Sequence, residues 1–185
     1  VFHGARKLWT HLCRETLELP RLMIGNQPVT DSPYSQDAEE SVIGAVLVNP
    51  NTFLTVAAFL KSDDFFFTRH SYIWQAMMLL NERKVPIDIV TLSEELKAMN
   101  ALDEIGGSAF LVQLIRNTPT SVHAEVYGRL VERAAIRRHL IRAADEIKAL
   151  AADEQLPVEL VTAEAESKLF AITDKQLQRE FIPMN

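Results

Sequence analysis

The sequence predicts an all-α protein: a small globular helical head followed by a long antiparallel helical hairpin. Three observations carry this. No segment alternates apolar and polar residues with the period of two expected of a half-buried strand, whereas apolar residues recur at three- and four-residue spacing. Capping residues and breakers punctuate residues 34–120 often enough to define several short helices. From Val122 to about Ala152 the chain has one glycine, Gly128, and no proline. That is a rod of roughly 30 residues and about 45 Å.

In the head, 34–120, Ser35 stands as an N-cap with Asp37, Glu39 and Glu40 favouring a helix start. Ala38, Val42, Ile43, Val46 and Leu47 supply its buried face, and Asn49-Pro50 ends it. Phe53, Val56, Ala57 and Leu60 mark a second short helix, and Phe65-Phe66-Phe67 reads as a core plug. A third helix, about 69–83, carries Tyr72, Ile73, Trp74, Ala76, Met77, Leu79 and Leu80. Being apolar around most of its circumference, it is expected at the centre of the head. Asp88 caps a helix with Ile89, Leu92, Leu96 and Met99, and Gly106-Gly107-Ser108 supplies a turn and cap for one with Phe110, Leu111, Leu114 and Ile115.

The hairpin, 121–175, follows Pro119 and Ser121. On its first helix Ile136, Leu140, Ala143, Ile147 and Leu150 keep one face by 4-3-4-3 spacing. Asp153-Glu154-Gln155-Leu156 breaks the rod, and Pro157 suits the first turn of the return helix. There Val158, Val161, Ala165, Leu169 and Ile172 repeat the pattern. The two stripes can zip together, yet Ile141 and Ala144 widen the first beyond one facing helix. A hairpin with such a surplus needs a neighbour, so assembly or docking is the expected role.

Residues 1–33 stand apart as a weakly ordered extension of unknown role. They mix His3, Arg6, Lys7, His11 and Arg14 with Leu8, Trp9, Leu12 and Leu19, which could form a short amphipathic helix. Glu15 and Glu18 count against a transit peptide, and no signal-peptide core is present. Gly25-Asn26-Gln27-Pro28 and Asp31-Ser32-Pro33 make a turn-rich linker.

Composition narrows the chemistry. The chain has 185 residues, is 48% hydrophobic and carries a net charge of −6, which disfavours a general nucleic-acid binder. Its single cysteine, Cys13, excludes an internal disulfide framework and fits a reducing compartment. No P-loop occurs, and His3, His11, His70, His123 and His139 lack metal-ligand spacing. His70 reads as a capping or packed core histidine, and the acid pairs Asp63-Asp64 and Asp103-Glu104 as turn residues. No catalytic residue, cofactor site or metal site is expected in this chain. Arg129, Arg133, Arg137, Arg138 and Arg142 form a basic cluster on the long helix, read as a solvated face paired with Glu125 and Glu132.

Taken in order, several segments resemble the N-terminal domain of DnaB-type replicative DNA helicases. They are Ala38-Glu39 through Val42-Ile43-Gly44-Ala45-Val46-Leu47, Asp64-Phe65, His70 with Ile73, Pro86-Ile87-Asp88-Ile89-Val90-Thr91-Leu92, and Glu95-Leu96. Gly106-Gly107 with Phe110-Leu111, Thr118-Pro119-Thr120, Tyr127, Arg137-Arg138, Ala165-Glu166 and Leu169-Phe170 follow. The resemblance covers about 34–175. Arg83-Lys84 and Asn100 stand where that family has turn glycines, and His123 where it has Asn. Asn100 tolerates a left-handed conformation, whereas Arg83 or Lys84 there costs more.

The resemblance implies the collar of a hexameric, ATP-driven helicase at the bacterial replication fork, in the cytoplasm. Collar domains there form a trimer of dimers through the hairpin and dock primase. A helicase loader is a further possible partner, and DNA would be met only by the full ring. The motor, with its ATP and Mg, is absent here, and 176–185, with Phe181-Ile182-Pro183-Met184, resembles the start of the linker to it. This chain alone is then expected neither to hydrolyse ATP nor to unwind DNA. Under this reading Ile136, Leu140, Ile147, Leu150, Val161, Leu169 and Ile172 form the assembly interface, and Phe110 and Ile141 face primase. The rival readings are a free-standing helical adaptor without a motor, a DNA-binding domain using the arginine stripe, and an enzyme. The net acidity disfavours the second and the lack of convergent polar residues the third.

Overall fold

The computed structural model describes residues 32–180, with side chains through residue 173. Residues 1–31 of the expected extension 1–33 and residues 181–185 of the expected linker 176–185 lie outside the described residues. Among those described there are seven α-helices, one 3-10 turn and no strand. They are α1 (Gln36–Val48), α2 (Thr52–Ala57), the 3-10 turn Ser62–Asp64, α3 (Thr68–Glu82), α4 (Ile89–Ala98), α5 (Gly107–Asn117), α6 (Ala124–Ala152) and α7 (Val158–Glu180).

The central helix of the head is α1. It packs against α2, α3, α5 and α6, and Val42 to Leu47 are buried without interruption. The sequence had placed α3 there; α3 instead packs on α1, α4 and the 3-10 turn. Gly44 explains the difference. A Cβ at this position would sit 1.9 Å from Thr118 Oγ1 and 2.6 Å from the Leu114 carbonyl, so only glycine lets α5 close over α1. Gly128 plays the same part where α6 crosses α2, its missing Cβ falling 2.9 Å from Val56 Cγ1 and 3.1 Å from Phe59. Beneath these crossings Phe53 and Phe65 tilt against Trp74, with centroids at 5.3 and 5.4 Å, and the indole N–H donates to the Leu60 carbonyl.

Local chemistry sets the helix ends. The Ser35 hydroxyl accepts the Ala38 N–H, and the Asp88 carboxylate accepts those of Val90 and Thr91 at 2.8 and 2.9 Å. The hydrogen bond from the Thr91 backbone is the chief cause that lowers the Asp88 pKa. The cap's contribution is therefore complete above the usual carboxylate range and is lost as the pH falls through the lowered value. Three turns close alike, each with one N–H reaching five residues back and its predecessor reaching three. These are Val85 to Leu80 with Lys84 to Asn81, Ala101 to Leu96 with Asn100 to Lys97, and Gly107 to Leu102 with Gly106 to Asp103. Such closures need a left-handed residue, and Lys84, Asn100, Gly106 and Gly107 all have positive φ.

Two local expectations are corrected. Ser108 does not cap α5, which starts at Gly107 directly from the backbone-tied turn with no side-chain cap. Of the three phenylalanines only Phe65 is in the core. Phe66 stacks on Tyr34 at 4.5 Å, and Phe67 meets both rings edge-on. Asp64 ends the preceding turn and Glu39 fixes the two following amides, which turns these rings outward.

The long helix α6 has two halves. Ala124, Gly128, Val131, Ala135 and Arg138 bury its first half on the head; beyond them Ala143 faces α7 and the helices run on as an arm. Asp153 closes α6 and accepts the Gln155 N–H, and the Pro157 carbonyl accepts the N–H groups of Leu160 and Val161 in the first turn of α7. Pro157 thus stands just before the first helical residue, Val158.

Two substitutions test this packing. Gly44→Ala should lower stability by about 1–3 kcal/mol, because the α1–α5 crossing must open. Lys84→Gly should raise it by about 1 kcal/mol, because its φ of 56° is left-handed. Urea midpoints of the two variants against the parent chain read both effects.

Candidate interaction surfaces

A buried polar joint holds the arm to the head. Glu39, 1% exposed, accepts the Phe66 N–H at 2.7 Å, the Phe67 N–H at 3.3 Å and His70 Nδ1–H at 2.8 Å. Arg138, 4% exposed, donates to the Pro33 carbonyl at 2.7 Å and the Asp64 carbonyl at 2.5 Å, with its guanidinium over the Phe66 ring. Burial lowers the Arg138 pKa while Glu39 draws it up; the group stays charged, as guanidinium does in proteins. Read in the sequence as part of a solvated stripe, Arg138 is instead an interior cation. Its neighbours keep the expected role: Arg129 pairs with Glu132 at 2.9 Å and Glu125 at 3.8 Å, and lies over Phe59.

The arm has two unlike sides. Helical periodicity sets Leu140, Ala144, Ile147 and Ala151 of α6 beside Val158, Ala165, Leu169 and Ile172 of α7 on one side. Toward the head this row continues as the exposed Arg133 and Arg137. Arg142, Glu146, Ala149 and Asp153 line the other side with Leu160, Glu164 and Ala171, and Lys168 reaches across to Glu146 at 2.5 Å. That hydrogen bond is the chief cause that raises the Lys168 pKa, so its contribution is lost only as the pH rises through the raised value. Both partners being solvated, the bridge adds little stability.

Of the residues expected at an assembly interface, Ile136, Ile147, Leu150, Val161 and Ile172 are half-buried. Leu140 and Leu169 are 42% and 47% exposed. The stripe reading missed Val158 as an exposed residue, and it missed Leu160 and Phe170 altogether. Phe170, 66% exposed, lies outside the 3-4 pattern of α7. Of the pair expected to face primase, Phe110 is half-buried between the Arg69 guanidinium, 4.5 Å from its centroid, and the parallel His70 ring. Ile141 is half-buried one turn beyond Arg138. Among the described residues no cluster of His, Cys, Asp or Glu could hold a metal ion, and no helix is long and apolar enough to cross a membrane.

Fold and surfaces define a class: an all-helical domain in which one continuous helix is packed on a small core at one end and extends as an arm at the other. A family model, the DnaB-like helicase N terminal domain, matches residues 31–133, and the chain belongs to that family. Replicative DNA helicase DnaC of Bacillus subtilis is 32% identical over 144 residues, which are 78% of this chain and 32% of that relative. The chain thus spans about a third of the length of the curated relatives it matches. The crystal structure of the N-terminal domain of DnaB helicase from Mycobacterium tuberculosis shares the fold with a TM-score of 0.73 at 29% identity, over 76% of this chain and 99% of that one. The N-terminal domain of DnaB helicase from Helicobacter pylori, described together with its interactions with primase, has a TM-score of 0.55 at 22% identity, over 63% of this chain and 90% of that one.

Glu39→Gln should cost about 1–3 kcal/mol, since an amide cannot accept all three donors that the carboxylate holds. Chemical denaturation measures the loss, and tritium or deuterium exchange at the Phe66 and Phe67 amides should quicken with it.

Proposed function

We propose that this chain is the collar domain of a replicative DNA helicase, assembling the helicase through its arm and docking primase at the replication fork. The observation that carries the reading is the apolar side of the arm, where α6 and α7 leave Leu140, Val158 and Leu169 uncovered. A single protein chain seldom exposes so continuous a ridge without a partner for it. Membership of the helicase family supplies the context, and the Helicobacter pylori relative described with primase supplies the partner.

In this reading residues 34–120 are the head, 121–175 the assembly hairpin and 176–185 the start of a linker, with 1–33 an extension. Two chains pair through Ile136, Leu140, Ile147, Leu150, Val161, Leu169 and Ile172, and pairs build a hexameric ring. Phe110 and Ile141 belong to the primase-facing side; Phe110 is held in place by Arg69 and His70. ATP and Mg serve the motor of the full-length helicase, which acts in the cytoplasm at the nucleoid. A helicase loader is a further partner, and DNA is engaged by the ring as a whole.

Light-scattering mass of the purified chain across concentration, with and without a primase C-terminal domain, tests this. Dimers or larger species that co-elute with primase are expected. Leu169→Asp should raise the dissociation constant at least ~100-fold, about 3 kcal/mol, with helical content unchanged, because Leu169 faces solvent within its own chain. A monomer at every concentration that ignores primase would sink the proposal.

A further inference from the structure

Between the start of α2 and the turn that joins α3 to α4, the head carries a groove of about 360 Å³. Leu54, 66% exposed, lines it with Val85, Pro86 and Ile87, and the carboxamides of Asn51 and Asn81 add hydrogen-bonding groups. Among the described residues Lys84 is the one charged side chain in this lining. Its neighbours in sequence are engaged, Asp88 by two amides and Arg83 by Glu95 at 2.8 Å, whereas Lys84 meets no carboxylate. The main chain beside it is open as well. Pro86 holds Val85 extended, and Asp88 is extended at φ −141°. The Val85 N–H reaches the Leu80 carbonyl, and the Pro86 carbonyl accepts the Thr91 hydroxyl. Among the described residues nothing meets the Val85 carbonyl or the Ile87 N–H. Ile87 is 6% exposed, and an N–H on so buried a residue is seldom left without an acceptor.

We propose that this groove docks an extended segment of another protein, in which a carboxylate stands two residues before an apolar side chain. Alternation along an extended run puts the Val85 carbonyl and the Ile87 N–H on the same edge. A parallel segment meets both with one residue, which donates its N–H to Val85 and accepts the Ile87 N–H through its carbonyl. The residue opposite that one makes no bond of its own in such a pairing, so a proline there loses nothing. The apolar side chain of the docked residue covers Leu54, the carboxylate two positions earlier reaches Lys84, and Asn51 and Asn81 offer both donors and acceptors to the remaining main chain. A helix would keep its N–H and C=O groups for itself and leave Ile87 unmet. A small anion would reach Lys84 and leave Leu54 and Val85 wet. A second copy of this chain is a poorer fit, because its described residues contain no strand to lend. The inference goes beyond the collar reading, which assigns no role to any of these residues.

The probe is a synthetic hexapeptide, blocked at both ends, with glutamate two residues before leucine among threonines and valines. It is titrated into the full chain at physiological ionic strength, with binding followed by calorimetry and mass by light scattering. N-methylation of the leucine amide, which removes the donor to Val85, should weaken binding about tenfold. Leu54→Ser should weaken it by a similar factor with helical content unchanged, because that side chain faces solvent. Lys84→Gly should weaken binding about fivefold while the urea midpoint rises, a combination that a purely structural role for Lys84 would not give. The proposal is overturned if the parent chain does not bind, if the N-methylated peptide binds as the unmodified one does, or if Leu54→Ser and Lys84→Gly bind as the parent does. A fall in mass on adding the peptide would mark the groove as a contact between copies and also overturn it. A chain that is monomeric at every concentration and still binds the peptide would instead sink the assembly reading and leave this one standing.

Discussion

Everything else in this structure depends on a cation buried where the arm meets the head. A guanidinium removed from water is tolerated only when its donors are met and a counter-charge is near. Arg138 gains two backbone carbonyls, an aromatic face and the field of Glu39. Glu39 in turn is held by two amides and an imidazole. The segment before α1, the loop between the 3-10 turn and α3, and the middle of α6 thus meet at one pair of opposite charges. The two interact through their field rather than by direct contact, and Asp64 adds a second negative charge beside the guanidinium.

Head and arm are stabilised differently. In the head, helices approach closely over Gly44 and Gly128 and enclose an aromatic core around Trp74. The arm has only two helices, so each stripe is covered on one flank, and most of its residues are half-buried or exposed. One solvated ion pair, Glu146 with Lys168, adds little. A graded stability follows, with local opening easier in the arm than in the core.

The sequence was most legible where the deciding interactions are local. Ser35 and Asp88 cap as expected because the N–H groups that donate to them lie two or three residues away, and Asn100 takes the left-handed turn its side chain tolerates. The sequence marks Arg83 or Lys84 as a costly substitute for a turn glycine, and of the two it is Lys84 that takes the left-handed φ. Arg138 was not legible: its two carbonyl partners are 105 and 74 residues distant, and helical spacing alone sets it among solvated arginines. Phe66 and Phe67 misled for a related reason, since the amides that turn their rings outward are fixed by Glu39 on another helix. The central place of α1 rests on Gly44, whose missing side chain carries no periodic signal. Periodicity gave the stripes of the arm, but not how much of each stripe the return helix covers.

The continuity of α6 through the joint has a mechanical consequence. The same rigid rod is clamped at one end by Gly128, Val131 and Arg138 and reaches Ala152 at the other, with no proline or glycine between Arg138 and the tip to absorb bending. Some 14 residues beyond the clamp make a lever of about 20 Å. A rotation of the head by only ~10° would swing the tip by roughly 3.5 Å, about two-thirds of a helical turn. Small rearrangements of a core too dense to deform are thereby converted into displacements large enough to change which residues meet at the far end.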